Sequence, residues 1–282
     1  MANVPDSKAP GGYVLGHSDV ELERLTTQAR VIDPITRQFL REAGLSAGMR
    51  VLDVGSGPGD VAFLAAELVG SSGEVIGVDR SEAAITMART RAAARPLPNV
   101  SFHEGDPTKI TFERPFDAVI GRYVLEFQPD AVAMIRSLTA HVRTGGIIAF
   151  HELDLGGACS FPEVPTFDRC CRWIAETIRA SGAEIRIGAK LASVFVAAGL
   201  GAPTMRLQAV VGGAEHSADA IRLMVDVART LLPAMERFGV ATAEEVGIET
   251  LATRIIEEAI ANASVIVARS EFGAWSRVKA VV

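Results

Sequence analysis

An open α/β fold built on a mostly parallel sheet is what this sequence predicts, on three observations. Short apolar runs rich in β-branched residues, "RVLDVG", "EVIGVD", "VSFHEG", "FDAVIG" and "GIIAFHE", alternate with helical segments such as "SEAAITMARTRAAAR" and "DAVAMIRSLTAHVR". A glycine-rich turn, "GSGPGD", joins the first run to an amphipathic stretch. An acidic residue, Asp79, ends the second run. Alternation of strand and helix requires right-handed crossovers that wrap helices around parallel strands.

The elements follow in order. Up to Gly12 the chain is polar and rich in Pro and Gly, and order is expected to begin at Tyr13. From Asp19 to Leu40, Leu22, Leu25, Ala29, Ile32, Ile35 and Phe39 recur near helical spacing, and Pro34 is expected to divide the stretch into two helices. After the five strand-like runs come the loop "LGGACSFPEVP" and a helix from Thr166 to Ala180 with an apolar stripe of Phe167, Cys170, Cys171, Ile174 and Ile178. A helix "GAKLASVFVAAGL" leads to a sixth strand, "TMRLQAVVGG". An insertion from His216 to Ala263 holds two helical segments and precedes the last strand, near "SVIVARSEFGAWSRV". A helical cap over a site is the natural use of such an insertion.

Composition excludes several functions. A chain of 282 residues, 49% hydrophobic and 22% charged, reads as globular and soluble with one large core and accessories. Lys and Arg number 28 against 34 Asp and Glu, and the net charge of −6 disfavours attraction to phosphate backbones, so no nucleic-acid partner is expected. No apolar run approaches the roughly twenty residues of a membrane span, so no membrane partner and no secretion signal are expected. Cys159, Cys170 and Cys171 are odd in number, clustered and without a zinc-type partner set, which points to no bound metal and to a reducing cytoplasm.

Ligands of open α/β sheets sit beyond the carboxyl ends of the strands, so the loops there carry the chemistry. Gly55, Gly57 and Gly59 remove side chains where a ligand approaches the backbone, and Asp60 is expected to cap the following helix. The spacing departs from a dinucleotide fingerprint, since its sixth position is Asp60, and no lysine completes a phosphate loop. Asp79 can accept hydrogen bonds from both hydroxyls of a ribose. Asp106, in the third loop "EGDP" with Gly105 and Pro107, can accept one from an adenine amine.

Together "VLDVGSGPG", "VIGVDRS" and "EGD" resemble the first three motifs of the class I S-adenosylmethionine-dependent methyltransferases. The resemblance covers Met49 to Asp154 and extends in outline further. It implies a Rossmann-like seven-stranded mostly parallel sheet, the last strand antiparallel, with helices on both faces. It also implies S-adenosylmethionine as cofactor and S-adenosylhomocysteine as product. Gly55, Ser56, Gly57 and Gly59 would line the amino-acid and ribose side, and Asp53 would support the turn or the sulfonium end. Asp79 would hold the ribose, Arg80 would flank the adenine, and Asp106 would bind its amine. "FDAVIGRYVLEF" would place Gly121, Arg122 and Tyr123 beside the methionine portion. "GYVLGHSDVELERLTTQAR" resembles the lid-bearing start of bacterial small-molecule members, where Tyr13, His17 and Gln28 would close over the cofactor or else pack the first helix onto the sheet. The implied organisation is a lid over 1–45, a core over 46–212 with a helical segment at 160–200, a cap over 213–263 and a final strand over 264–282.

Methyl transfer depends chiefly on holding the acceptor atom against the methyl group. A hydroxyl or ammonium acceptor must also lose a proton. His151 and Glu126 are the candidate bases, with Arg122 beside them, while Glu152 and Asp154 lie nearby and Glu152 reads as a local hydrogen-bond partner. His151 reads equally as a satisfied histidine at a strand end. Phe127, Phe161, Met224 and Met235 would give an enclosed space an apolar lining or belong to an ordinary core. The expected partner is a small, fairly apolar metabolite methylated at oxygen, nitrogen or carbon, and a homodimer is left open. Two alternatives stand beside it: a methyltransferase acting on protein or RNA, and a protein using the cofactor for cyclisation or a pericyclic step.

Overall fold

The computed structural model describes residues 19–280, with side chains from residue 28 onward. The elements run α1 (Asp19–Ala43), β1 (Arg50–Val54), α2 (Asp60–Val69), β2 (Glu74–Asp79), α3 (Glu82–Ala93), β3 (Val100–Glu104), β4 (Phe116–Arg122), α4 (Ala131–Thr139), β5 (Val142–Asp154), β6 (Cys159–Phe161), α5 (Pro165–Ala180), α6 (Ile187–Ala197), β7 (Thr204–Gly213), α7 (Ala218–Phe238), α8 (Ala243–Val246), α9 (Ile248–Ala261) and β8 (Val265–Arg277). The order across the sheet is β3, β2, β1, β4, β5, β8, with β7 beyond β8. β1 to β5 pair in parallel, and β8 lies antiparallel between β5 and β7.

The sequence led to seven strands, and eight are present among the described residues. The extra one is β6, three residues of the loop after β5, paired antiparallel with the start of β8 through Cys159 to Val267 and Phe161 to Val265. It continues the line of β5 along β8, whose first residues would otherwise be unpaired on that side.

Pro34 does not divide the first helix. α1 is continuous through it, because the carbonyl that loses its i+4 donor belongs to Arg30, and both residues lie on the exposed face where water replaces the bond. Asp60 is not a cap either: it is the first residue of α2, preceded by Gly59 at φ 94°, and its carboxylate pairs with Arg91 at 2.5 Å. Side chains do cap α3 and α4, where Ser81 accepts from the Ala84 amide and Asp130 from the Ala133 amide.

Three apolar cores organise the molecule. One face of the sheet packs on α1, α2 and α3 through residues such as Phe39, Leu40, Phe63, Ala66 and Ile85. The other packs on α4 and α6 through Ile135, Leu138, Leu191 and Phe195. The third joins α5, α7 and α9 to the ends of β5 and β8, and Ile32 of α1 enters it. Met224 and Met235 belong to that third core and are wholly buried, whereas Phe161 is 81% exposed, so none of the three lines an open cavity. No helix among the described residues is long and apolar enough to cross a membrane.

Candidate active site

The glycine turn sits at the carboxyl ends of β1 and β4, next to β2. Asp79, the last residue of β2, accepts the Gly57 amide at 2.9 Å with Oδ2 and the Ser81 amide at 2.9 Å with Oδ1. The Ser56 amide donates to the Val78 carbonyl at 3.1 Å. Gly57 has φ 52°, and a Cβ there would meet nothing within 4 Å. Gly59, also left-handed, has no such room: a Cβ would lie 2.7 Å from the Phe102 ring.

Below the turn Asp53 is buried, at 1% exposure, and neither carboxylate oxygen has a hydrogen-bond partner of good geometry. The Ser56 hydroxyl is buried and unpartnered as well. Burial pushes the Asp53 carboxyl up to about 8, with Arg122 pulling it down and Asp79 adding to the rise. Asp106 accepts the Thr108 amide and hydroxyl and pairs with Arg80 at 3.0 Å. The Gly105 amide donates to the Asp79 carbonyl at 2.8 Å, which ties the second and third loops together, and the Pro107 carbonyl lies 3.1 Å from Nε2 of His141, in the connection before β5.

Arg122, at the end of β4, points at α1: its Nη1 donates to Asp33 and to Thr36, both at 2.9 Å. Its Nε and Nη2 make no bond to a described residue. Tyr123 follows at φ 57°, in the left-handed region that costs a non-glycine residue about 1–3 kcal/mol. The Tyr123 hydroxyl donates to Glu271 Oε2 at 2.7 Å and accepts from Arg269 Nη2 at 3.1 Å.

His151 lies among these groups, 1% exposed, its ring 5.8 Å from Phe39 and 5.6 Å from Tyr123. Its Nδ1 is 3.0 Å from the Thr36 hydroxyl, and its Nε2 is 3.1 Å from Glu271 Oε2 at an oblique angle. Burial pushes the imidazole below its ordinary value, against the pull of Glu271, so the ring is neutral at pH 7. The arrangement that keeps a lone pair from facing the Glu271 carboxylate puts the proton on Nε2 and has Nδ1 accept from Thr36. Glu271 itself is raised by burial but held down to about 2 by the Arg269 guanidinium and its other donors.

Glu152 faces elsewhere. Its Oε1 accepts the Val124 and Leu125 amides at 3.0 and 2.9 Å, and burial pushes it up to about 8. Glu126 is buried in the turn after β4, and Gln28 is buried on α1 with a partner of its own. Tyr13 and His17 lie outside the described residues. The structure thus brings Asp53, Gly55, Ser56, Gly57, Asp79, Arg122 and Tyr123 to one end of the sheet, with Arg80, Gly105, Asp106 and Pro107 beside them. Sequence reasoning missed Asp33, Thr36, Arg269 and Glu271. The last two carried a signal: a charged pair two residues apart, on one face of an otherwise apolar strand.

Comparison with known proteins agrees with this geometry. A family model described as a methyltransferase domain matches residues 45–184. Aklanonic acid methyltransferase of a Streptomyces species (strain C5) is 38% identical over 133 residues, covering 47% of this chain and 60% of that protein. A 2-phytyl-1,4-naphthoquinone methyltransferase of Synechococcus elongatus is 36% identical over 120 residues, covering 42% of this chain and 51% of that one. The chain therefore spans about half to three fifths of the length of these curated relatives. Among solved structures, a putative methyltransferase from Bacillus halodurans superposes with a TM-score of 0.56 at 17% identity over 86% of this chain and 98% of that one, a likeness of fold. Motifs, strand order and family match converge, and residues 45–184 form a methyltransferase domain of the class I S-adenosylmethionine-dependent kind.

Proposed function

We propose that this protein transfers the methyl group of S-adenosylmethionine to oxygen, nitrogen or carbon of a small, fairly apolar metabolite and releases S-adenosylhomocysteine. The observation that carries the reading is the pair of unpartnered, buried Asp53 oxygens beneath the open Gly57 turn. A buried carboxyl is costly to leave without donors, and a ligand ammonium supplies them. The residues present fit the cofactor. Asp53 would take the amino end, and the unengaged N–H groups of Arg122 the carboxylate. Asp79 retains lone pairs for the ribose hydroxyls, and Asp106 with Arg80 lies where the adenine would rest. When bound, the cofactor supplies an electrophilic methyl group on a sulfonium sulfur.

The chain's own contribution is then orientation and exclusion of water. The apolar core of α5, α7 and α9 borders Tyr123 and would close over an acceptor; in this reading the insertion serves as a cap, and α1 with the preceding segment as a lid. The names of the similar proteins, methyltransferases of aklanonic acid and of a naphthoquinone, support an aromatic or quinone-like acceptor.

The test is incubation with methyl-labelled S-adenosylmethionine and a cell extract separated into organic, protein and RNA fractions. Label in the organic fraction is the expected outcome. Label confined to protein or RNA would overturn the metabolite reading, and recovery of unchanged cofactor after product formation would favour a non-methylating reaction.

A further inference from the structure

One buried cation beside the proposed methyl-transfer site has more hydrogen-bond donors than the described residues use. Arg269 of β8 is 2% exposed, donates from Nε to Glu271 Oε1 at 2.9 Å and from Nη2 to the Tyr123 hydroxyl at 3.1 Å. Its Nη1 makes no bond to a described residue. Glu271 is saturated by Arg269, by Tyr123 at 2.7 Å and by the facing His151. The three side chains form a closed ring of hydrogen bonds that fixes the guanidinium in place. The Tyr123 ring lies 4.9 Å from the Arg269 guanidinium carbon and 5.7 Å from that of Arg122, and it packs against the apolar core of α5, α7 and α9.

Several basic side chains of the same neighbourhood are engaged by partners, while both Asp53 oxygens are not. His151 has Thr36 at Nδ1, and its Nε2 lies 3.1 Å from Glu271 Oε2 at an oblique angle. Asp154 accepts from the Gly156 amide and faces Arg186, and Asp33 is engaged by Arg122. Glu126 is buried and partnered. Glu152, wholly buried, takes two amides and is protonated at neutral pH.

We propose that Arg269, oriented by Glu271 and Tyr123, determines acceptor specificity, and that the acceptor is a planar conjugated compound that enters as an oxyanion and places its charged oxygen on the unengaged guanidinium N–H groups. The inference rests on the methyl-transfer reading and adds the acceptor's ionisation to it. An acceptor already ionised in water brings its own nucleophilic electron pair and needs no base. The guanidinium offers directed donors to that oxygen, while the apolar wall takes the ring system.

The probe is 2-hydroxy-1,4-naphthoquinone, ionised at neutral pH, against its neutral 2-methoxy analogue, each titrated calorimetrically into the full chain saturated with S-adenosylhomocysteine. The wild type is expected to bind the hydroxy compound at least tenfold more tightly. In the double variant Arg269→Met with Glu271→Leu, which removes both buried charges together, that preference is expected to fall below threefold while affinity for S-adenosylhomocysteine is retained. Arg269→Lys, which keeps the charge without the two-pronged fork, is expected to lose at least fivefold of the preference. No binding of the hydroxy compound by the wild type, equal binding of the two probes, or an undiminished preference in either variant would overturn the proposal. Failure of the wild type to bind S-adenosylhomocysteine would overturn the cofactor reading and the proposal with it.

Discussion

Asp79 Oδ2 accepts the Gly57 amide at 2.9 Å, so the carboxylate that would bind a ribose also shapes the turn that would hold the methionine end. Removing it is expected to do two kinds of damage. Asp79→Ala should weaken S-adenosylhomocysteine binding about 100-fold, roughly 2.7 kcal/mol, and Asp79→Asn should lose less because an amide oxygen can still accept from Gly57. Calorimetric titration of both variants checks the order, and equal losses would contradict it.

Gly57 and Gly59 should separate binding from folding. Both have left-handed backbone, costing an alanine about 1–2 kcal/mol, yet only at Gly59 would the added methyl strike an aromatic ring. Gly57→Ala is expected to lose no more stability than that backbone cost and to bind the cofactor product poorly. Gly59→Ala is expected to lose several kcal/mol of stability. Denaturant unfolding paired with calorimetry reads both.

Stability should fall as pH rises. Burial lifts Asp53 and Glu152 from ordinary values of 3.8 and 4.5 to about 8 each. The folded chain therefore holds protons that the unfolded chain releases, so this stabilisation is complete below pH 4 and is lost between there and pH 8. Each group contributes a slope of at most about 1.4 kcal/mol per pH unit. Asp53→Asn should flatten the dependence of unfolding free energy on pH, and an unchanged slope would contradict the assignment.

Cofactor binding should release a proton. An ammonium seated on Asp53 favours its carboxylate form, so below pH 8 binding of S-adenosylhomocysteine is expected to discharge up to one proton. Calorimetry at pH 7 in two buffers of different ionisation enthalpy counts it, and Asp53→Asn should abolish the difference.

Thr36 carries three contacts on one hydroxyl: the Ile32 carbonyl, Arg122 and His151. Thr36→Val is expected to cost about 1–3 kcal/mol, because two buried polar partners lose their mate without losing their need for one. Equilibrium unfolding in urea measures it. A loss under 0.5 kcal/mol, on the order of a neutral surface change, would show that the network closes without Thr36.

Most of the scaffold was legible because it is written locally. β1, β2 and β4 are buried on both faces and read as β-branched runs, and the turn after β1 announces itself by three glycines that adopt left-handed backbone. What the chain holds together across long separations was not legible. Thr36 meets His151 115 positions away, and Tyr123 meets Glu271 148 positions away, and no periodicity encodes such meetings. Pro34 misled because its effect depends on whether the orphaned carbonyl faces water, a tertiary property. Met224 took the ordinary-core reading, wholly buried among helices, whereas Phe161 fits neither reading, 81% exposed on β6.

β8 pairs with β5 and β6 on one side and with β7 on the other, yet it follows all of them in the chain. During synthesis the sheet therefore waits for a strand that has not been made. Until β8 emerges, β5 and β7 each present an unpaired edge, and the α5, α7 and α9 core lacks Ile266 and Ala268. A ribosome that stalls between β7 and β8 would display sticky edges and bare apolar helices, the form in which a nascent chain most readily aggregates or recruits a chaperone.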